Sequence, residues 1–338
     1  MKQYSVAVVG IGVVGAKMLE VLRERKFPAK SYKVLATRAR KEMIAGYEYE
    51  VVPASVEAFD GVDIAFFAGT EGAKGASQLY GWPAVAKGCI VIDNGDDYRM
   101  DPRVPLVVPE VNAEALRGHK GLISNPNCST IQMVVALGAL QKHARIKRVV
   151  VSTYQAVSGT GRPGIAELEQ QLVDLREGRA TKHETYPHQI AFNVIPQVSS
   201  LKTEFPGYYG EEIKMIKETR KILGDPDIQV SATCVRVPVF NAHSEAVNVQ
   251  LDRKITAAEA REILRSYPGI VVMDDPAKSV YPTPLAISGR DEVFVGRIRD
   301  DSSAPNSLDM WVVSDNIRKG AATNAVQIAE KMMEMKLI

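Results

Sequence analysis

A glycine motif directly follows the first apolar segment of the chain, and it restricts the fold more than any other part of the sequence. SVAVVG (5–10) has the length and composition of a buried strand, and GVVGAKMLEVLRER (12–25) carries apolar residues at helical spacing. The turn between them has the pattern G-x-G-x-x-G, in which the candidate ligand contacts are Gly10, Gly12, Val13, Val14 and Gly15. Such a turn brings backbone N–H groups close to a pyrophosphate. The chain is therefore predicted to open with a strand–turn–helix unit that binds a dinucleotide.

Short apolar segments continue along the first third of the chain. We predict strands at YKVLAT (32–37), VDIAFF (62–67), CIVIDN (89–94), PLVVPEV (105–111) and GLIS (121–124). Continuous apolar strands separated by helical or loop segments are typical of a parallel sheet that is covered on both faces. Residues 1–127 are therefore predicted to form a doubly wound, Rossmann-like α/β domain.

The pattern changes after Cys128, because the next strand-like segments alternate in part between apolar and polar residues. They are RVVVSTYQAVS (148–158), QVSATCVRVPVF (229–240), EAVNVQLDR (245–253), VFVGRIR (293–299) and LDMWVVSD (308–315). With helical patterns between them, they predict an α+β domain over 128–315, with a mixed or antiparallel sheet and helices on one face. The last segment, 316–338, is predicted to form an amphipathic helix that packs back onto the first domain.

Composition narrows the possible classes of function. The 338 residues carry a formal net charge of only +2, which gives no reason to expect a nucleic-acid or membrane partner. Three scattered cysteines fit neither a disulfide framework nor a zinc site, so we expect no metal and a reducing cytoplasm. No signal-peptide pattern precedes the first strand, and no apolar segment approaches the roughly 20 residues that span a bilayer. We expect a soluble protein.

The end of the second predicted strand bears on which dinucleotide binds. NAD sites usually have an acidic residue there, for the ribose hydroxyls. This chain instead has Thr37, Arg38 and Arg40. Hydroxyl and guanidinium groups suit a 2′-phosphate, so the sequence favours NADP, with either Arg38 or Arg40 as the phosphate ligand.

A lone cysteine in SNPNCST (124–130) indicates the chemistry. Cys128 lies where Pro126 ends one element and an apolar helical segment begins, and the first turn of a helix offers N–H groups and a partial positive charge that favour thiolate. A thiol beside a nicotinamide suggests a thioester mechanism, which needs a base. His243 follows a strand that contains Arg236, so one region offers a proton shuttle and an anion clamp.

Five segments together resemble the successive signature blocks of the aspartate-β-semialdehyde dehydrogenase family, in family order. They are SNPNCSTIQMVVAL, VSTYQAVSGTG, AFNVIPQV, CVRVPVFNAHSEAV and SDNIRKGAATNAVQIAE. The resemblance implies reduction of L-aspartyl-4-phosphate to its semialdehyde with NADPH, with release of phosphate, in lysine, threonine, methionine and diaminopimelate biosynthesis. It also implies a homodimer or homotetramer.

The resemblance further implies roles for individual residues. The catalytic residues would be Cys128 as nucleophile, His243 as acid–base and Gln155 as an orienting group. Arg236 would bind the substrate carboxylate and Glu211 its ammonium. The phosphoryl group would contact Arg99, Lys214 and Asn127. Positions that contact the cofactor near its nicotinamide are matched by Ser158, Gly159 and Asn316.

The match has departures, and three alternatives follow. The family's glycine turn is usually one residue longer, and the segments 68–82 and 93–98 differ from its usual composition. The enzymatic alternative is N-acetyl-γ-glutamyl-phosphate reductase, whose cysteine motif resembles N-P-G-C-Y and whose acetylated substrate would not need Glu211. A non-catalytic NADP-binding regulatory homologue would have no need of Cys128 together with His243, and a scaffold protein would have no need of the glycine motif.

Overall fold

The computed structural model describes residues 2–69 and 75–338, and the chain divides into two compact units. Unit 1 comprises Met1–Asn127 and Ala321–Ile338, and unit 2 comprises Cys128–Gly320. Residues 70–74 of the unusual segment 68–82 lie outside the described residues. No helix in the described ranges combines the length and the hydropathy that a membrane-spanning segment requires.

Unit 1 is built on a seven-stranded sheet with the order β3-β4-β2-β1-β5-β6-β7. Its strands are β1 (Tyr4–Val9), β2 (Ala29–Ala36), β3 (Arg40–Ile44), β4 (Tyr47–Pro53), β5 (Ile64–Phe67), β6 (Ile90–Asp93) and β7 (Leu122–Ser124). Every pairing is parallel except that of β3 with β4. The chain moves outward from β1 to one side and then returns to β5 on the other. The carboxyl end of β1 is therefore the topological switch point at which such sheets bind ligands.

Helices cover both faces of this sheet, and they are α1 (Val13–Glu24), α2 (Ala76–Ala86), α3 (Pro109–Asn112) and α9 (Thr323–Glu334). Val6 and Val8 of β1 pack into one core with α1 and α9, and Ala7 and Val9 pack into the other, which includes residues of α2. This alternation follows from the two-residue period of a strand. The predicted doubly wound architecture is confirmed.

Two local predictions in unit 1 need correction. PLVVPEV (105–111) is not a strand, because only Leu106 forms an isolated bridge, to Ser124, and α3 begins at Pro109. Proline lacks the N–H that a ladder requires and is favoured in the first turn of a helix, which explains the change at Pro109. The β3–β4 hairpin was not predicted, because its strands have exposed faces and no continuous apolar run.

Unit 2 is built on a six-stranded mixed sheet with the order β11-β12-β13-β10-β8-β9. Its strands are β8 (Ile146–Gln155), β9 (Gln229–Arg236), β10 (His243–Leu251), β11 (Ile270–Val272), β12 (Val293–Asp300) and β13 (Ser307–Ser314). The pairs β8–β9 and β11–β12 are parallel, and the other pairs are antiparallel. The predicted mixed sheet is therefore confirmed.

The helices of unit 2 are α4 (Cys128–Gln141), α5 (Arg162–Arg176), α6 (Gly210–Leu223), α7 (Ala257–Ser266) and α8 (Pro284–Ile287). Helix α4 contacts four strands of the sheet as well as α6 and α7, and its residues 129–140 are all buried. On the opposite side of the sheet, Ala246 of β10 is exposed and Trp311 of β13 is half-buried. The sheet thus has one face covered by helices and one open face.

Candidate active site

The reactive thiol candidate lies at a helix terminus. Cys128 is the first residue of α4 and is partly exposed, whereas Cys89 and Cys234 are buried. Burial raises the pKa of the Cys89 thiol to about 11, and it also raises the pKa of Cys234. Of the three thiols, Cys128 alone combines access with the N–H groups of a helical first turn.

A glycine that the sequence interpretation did not single out borders this thiol. A Cβ built on Gly320 would lie 2.9 Å from the Cβ of Cys128. Real Cβ atoms do not approach so closely, so only a glycine lets the backbone at position 320 pack this near to Cys128. It lies in the block SDNIRKGAATN, but nothing in its local spacing connects it to a cysteine 192 positions earlier in the chain, the difference of the two residue numbers.

Three of the predicted site residues lie at the ends of three neighbouring strands in the unit 2 sheet. Gln155 ends β8, Arg236 ends β9, and His243 begins β10. Because β8 and β9 are parallel to each other and β8 is antiparallel to β10, the last residues of β8 and β9 lie beside the first residue of β10. All three side chains are buried, with His243 fully so.

The hydrogen bond of His243 fixes its tautomer. Its Nδ1 accepts the backbone N–H of Ala156 at 3.0 Å, so the neutral ring carries its proton on Nε2. Burial, and secondarily the positive charge of Arg236, hold the pKa of His243 well below its usual range. Nε2 has no hydrogen-bond partner among the described residues. His243 therefore presents a neutral N–H donor.

Arg236 is held in place while part of its guanidinium stays available. Its Nη1 donates to the carbonyl of Ala156 at 2.6 Å, and its buried Nε has no partner among the described side chains and backbone. A Cβ on Gly159 would lie 2.8 Å from that Nη1 and 3.2 Å from the Nε2 of His243. Gly159 therefore borders both groups, and its missing side chain leaves them room.

Gln155 connects the sheet edge to α6. Its Nε2 donates to Oε1 of Glu211 at 2.9 Å, and its Oε1 accepts the hydroxyl of Thr153. Glu211 is buried in the first turn of α6, and Lys214 follows three residues later on the same side of the helix, half-buried. Unit 2 thus brings Gln155 and Glu211, two of the predicted site residues, into direct contact.

Ser158 and Asn316 also meet in unit 2. The Nδ2 of Asn316 donates to the Ser158 hydroxyl at 3.0 Å, and its Oδ1 accepts the backbone N–H of Ala242 at 2.9 Å. These bonds join the segment after β8 to the segments before β10 and after β13. Two of the three residues predicted to contact the cofactor near its nicotinamide are thus neighbours.

In unit 1, the glycine turn has the shape that a phosphate cradle needs. Gly10 has φ +86°, and a Cβ there would lie 2.7 Å from the Cα of Gly69. A Cβ on Gly15 would clash with the carbonyl of Gly10, so the turn and α1 pack closely. The space around Gly12 is open, and no side chain caps α1. Val13 and Val14 begin that helix, so its first N–H groups are directed at this space, and the turn fits a dinucleotide pyrophosphate.

The other unit 1 candidates lie near strand ends. Thr37 and Arg38 lie in an exposed bend after β2, while Arg40 begins β3 and forms an ion pair with Glu42 at 2.7 Å. Arg99 is buried after β6, and its Nη2 donates to the carbonyl of Asn94 at 2.7 Å. Asn127 is buried immediately before the thiol.

A dinucleotide-type unit and a unit with a thiol at a helix terminus, in one chain, define the class of cysteine-dependent, nicotinamide-linked oxidoreductases. The comparisons agree with this class. The family model "Semialdehyde dehydrogenase, NAD binding domain" matches residues 5–119, and "Semialdehyde dehydrogenase, dimerisation domain" matches 137–319. The aspartate-semialdehyde dehydrogenase of Aquifex aeolicus is 50% identical, with 99% of each chain covered.

Solved structures give the same result. Aspartate semialdehyde dehydrogenase II from Vibrio cholerae, complexed with ASA, is 42% identical with a TM-score of 0.93, and 99% of each chain is covered. The Candida albicans enzyme with NADP is 25% identical with a TM-score of 0.75, and each chain is covered completely. This chain belongs to the aspartate-semialdehyde dehydrogenase family. The predictions of family, fold class and enzyme class are confirmed.

Proposed function

We propose that this protein reduces L-aspartyl-4-phosphate to L-aspartate 4-semialdehyde and phosphate with NADPH, through a thioester on Cys128. The observation that carries the proposal is the position of Cys128 at the start of α4, whose next turn reaches the strand of His243. The Nε2 of Gln132, four residues after Cys128, donates to the carbonyl of His243 at 3.4 Å. Nucleophile and imidazole are therefore carried by two elements in direct contact.

The covalent chemistry follows from a thiolate at this position. Sγ of Cys128 attacks the acyl carbon, and the C–O bond to the phosphoryl group breaks, so phosphate departs with the electron pair. NADPH, when bound, supplies the hydride that reduces the resulting thioester. The tetrahedral centre then expels the Cys128 thiolate and releases the aldehyde.

His243 stabilises the oxygen of the tetrahedral centre in this scheme. Its Nε2–H is the available donor, since Nδ1 is occupied by Ala156. A preorganised donor of this kind strengthens its hydrogen bond as negative charge develops on the oxygen. Accepting the thiol proton would require Nε2 without its hydrogen, so the geometry supports the donor role over the base role that the family resemblance suggests.

The charges of the site match the substrate. Arg236 would bind the α-carboxylate through its fork of N–H groups, and Glu211 would bind the ammonium, with Gln155 fixing the Glu211 carboxylate. We assign the phosphoryl group to Arg99, Lys214 and Asn127. An acetylated glutamyl phosphate carries no ammonium, so a buried Glu211 argues for the aspartyl substrate over the N-acetyl-γ-glutamyl alternative.

For the cofactor we propose NADP over NAD. The glycine turn would hold the pyrophosphate, and Thr37 and Arg38 would contact the 2′-phosphate, because Arg40 is already paired with Glu42. We assign Ser158, Gly159 and Asn316 to the nicotinamide end. The Candida albicans relative, whose structure contains NADP, supports the same preference.

We also propose a homodimer. The open face of the unit 2 sheet has a depression whose lining includes Val150, Ala246, Tyr281, Met310 and Trp311. An apolar depression on an open sheet face suits a second copy of the same surface, and the matching family model is a dimerisation domain. The three cysteines form no disulfide with one another, which suits a reducing cytoplasm, where we place the protein.

The test measures the reverse reaction. Purified protein is given L-aspartate 4-semialdehyde with NADP⁺ or NAD⁺, with and without phosphate, and N-acetylglutamate 5-semialdehyde serves as the competing substrate. We expect phosphate-dependent NADP⁺ reduction with the aspartate derivative, and slower reaction with NAD⁺. Preference for the acetylated substrate would favour the reductase alternative. Nucleotide binding without turnover of either aldehyde would favour the regulatory homologue.

A further inference from the structure

Thr153 is a buried residue of β8 that has no role in the reaction as proposed so far. It lies two positions before Gln155, and residues two apart on a strand share a face, so both side chains are directed to the same side of the unit 2 sheet. Thr153 is fully buried and Gln155 almost fully. The Oγ1 of Thr153 donates to the Oε1 of Gln155 at 3.1 Å. A buried hydroxyl therefore holds the amide that contacts Glu211.

The orientation of the Gln155 amide is determined at both of its ends. Its Nε2 donates to Oε1 of Glu211 at 2.9 Å, and its Oε1 accepts the Thr153 hydroxyl. The opposite orientation would place the amide oxygen against a carboxylate oxygen, which offers no proton. With one N–H given to Glu211, the amide retains a second N–H that can donate to a substrate. Thr153 and Glu211 together fix this amide.

Cys234 is a second polar neighbour of the Thr153 hydroxyl, since the two residues are paired in the register of β8 and β9. Burial raises the pKa of the Cys234 thiol, so this thiol stays protonated, and a neutral thiol is a weaker acceptor than an amide oxygen. The Sγ of Cys234 itself donates to the Sδ of Met215 at 3.7 Å. The proton of Thr153 is therefore directed to Gln155.

Helix α6 presents Glu211 to this amide from a well-anchored first turn. Glu211 and Glu212 both lie in that turn, and both are buried. Glu212 accepts the backbone N–H of Cys234 at 3.2 Å and that of Tyr209 at 2.8 Å, which attaches the start of the helix to β9. The helix dipole also favours carboxylates at this end. Gln155 is thus a polar link between β8 and the carboxylate of Glu211.

We propose that Thr153 is a positioning residue for recognition of the substrate's ammonium group. Its hydroxyl fixes the Gln155 amide, and the amide in turn fixes the Glu211 carboxylate where the ammonium binds. The proposal rests on the assignment of Glu211 to the ammonium under the proposed function. Thr153 acts on the substrate only through Gln155, so its removal should weaken recognition of the amino group and little else.

The test compares two aldehydes that differ only in the amino group, L-aspartate 4-semialdehyde and succinate semialdehyde, each oxidised with NADP⁺ and phosphate. The parent should prefer the aminated aldehyde by at least about 100-fold in kcat/KM, because a site built to bind an N–H group rejects an analogue without it. In T153V the Oε1 of Gln155 loses its donor, and we expect this preference to fall by about tenfold. The rate with succinate semialdehyde should change little.

The matched variant is T153S, which keeps the hydroxyl and should retain most of the parent's preference. T233V makes the same change on the opposite face of the neighbouring strand, where Thr233 is exposed, and should behave like the parent. Because Thr153 acts through Gln155, T153V should cause no further loss of preference in a Q155M background. T153A, which also lacks the hydroxyl, repeats the test if T153V fails to fold.

The outcomes separate this proposal from the proposed function. An unchanged preference in T153V or T153A, or an equal loss of rate with both aldehydes, would overturn the positioning role even if the parent oxidises aspartate semialdehyde. A further loss of preference on adding T153V to Q155M would overturn it as well. A parent that does not prefer the aminated aldehyde would contradict the assignment of Glu211, and the role of Thr153 with it.

Discussion

At the scale of single residues, the environment determines the chemistry of each group. His243 is a neutral donor because burial and Arg236 oppose its charge and because Ala156 occupies Nδ1. Cys128 is accessible, whereas burial raises the pKa of the other two thiols. The sequence indicated which residue types were present, and the hydrogen bonds indicate which atoms are available.

Gly159 provides a residue-scale test of the site geometry. A methyl group there would press on Arg236 and His243, so we expect Gly159→Ala to raise KM for the aldehyde and to lower kcat, each by about tenfold. Steady-state kinetics measures both. Gly118→Ala is the matched control, because a Cβ at Gly118 meets no atom within 4 Å. Equal kinetics in both variants would remove Gly159 from the site.

Burial raises the pKa of Glu245, a fully buried residue of β10, well above its usual range, and this shift predicts a pH dependence of stability. The unfolded chain loses this proton near the usual glutamate pKa of about 4.3, whereas the folded chain keeps it to higher pH. The folded parent therefore binds more protons in this window, and its stability falls as pH rises through it. Relative to E245Q, the parent should lose about 1.4 kcal/mol of unfolding free energy per pH unit between roughly pH 5 and the folded pKa.

Urea unfolding of the parent and E245Q, at one protein concentration across pH 5–8, measures this difference. The depressed pKa of His243 acts in the opposite direction, since it lowers stability as pH falls below about 6.5. That contribution is common to both proteins and cancels in the comparison. A difference that stays constant with pH would show that the pKa of Glu245 is not raised.

At the scale of elements, sequence periodicity predicted most strands of both sheets, the helix α1 and the presence of helices between the strands of unit 2. The prediction failed where tertiary contacts, and not the local sequence, determine the conformation of a segment. The segment 105–111 has the composition of a strand, but only one of its residues forms a β-bridge. The β3–β4 hairpin is too polar to be recognised as a pair of buried strands. Strand register was also beyond prediction, and register is what aligns Thr153 with Cys234 and Glu245.

The exposed bend after β2 is the basis of a prediction about the ligand of the cofactor's 2′-phosphate. Arg38 lies in this exposed bend, whereas Arg40 is paired with Glu42 on β3. We expect Arg38→Ala to raise KM for NADPH by about tenfold, as the loss of a charged hydrogen bond implies, and to leave KM for NADH unchanged. Arg40→Ala is the matched control and should have a smaller effect. The reverse ranking would assign the 2′-phosphate to Arg40.

At the scale of the whole molecule, the candidate functional groups are divided between the two units of the chain. Unit 1 has the glycine turn at its topological switch point and Arg99, and unit 2 has the thiol of Cys128, the imidazole of His243 and the charged side chains of Glu211 and Arg236. The glycine motif and the cysteine motif could be recognised in the sequence because each of them is local. The sequence interpretation missed Gly320, because that residue approaches Cys128, which is distant from it in sequence.

The open face of the unit 2 sheet leads to a prediction about assembly. Ala246 is exposed and lies opposite Ser152 and Trp311. We expect Ala246→Arg to place an unpaired charge in the proposed interface and to convert the homodimer to monomer. Sedimentation at several concentrations measures the change. Lys147→Ala, on the exposed start of β8, is the control that should remain dimeric, and a dimeric Ala246→Arg would exclude this face.

The most direct test of the central claim is the mass of the enzyme after reaction with aspartyl phosphate in the absence of NADPH. We predict one aspartyl group per chain, recovered on the peptide that contains Cys128, labile to hydroxylamine and absent from Cys128→Ala. Cys89→Ala should be acylated like the parent. Turnover by the parent with no adduct, or an adduct on another residue, would contradict the thioester mechanism.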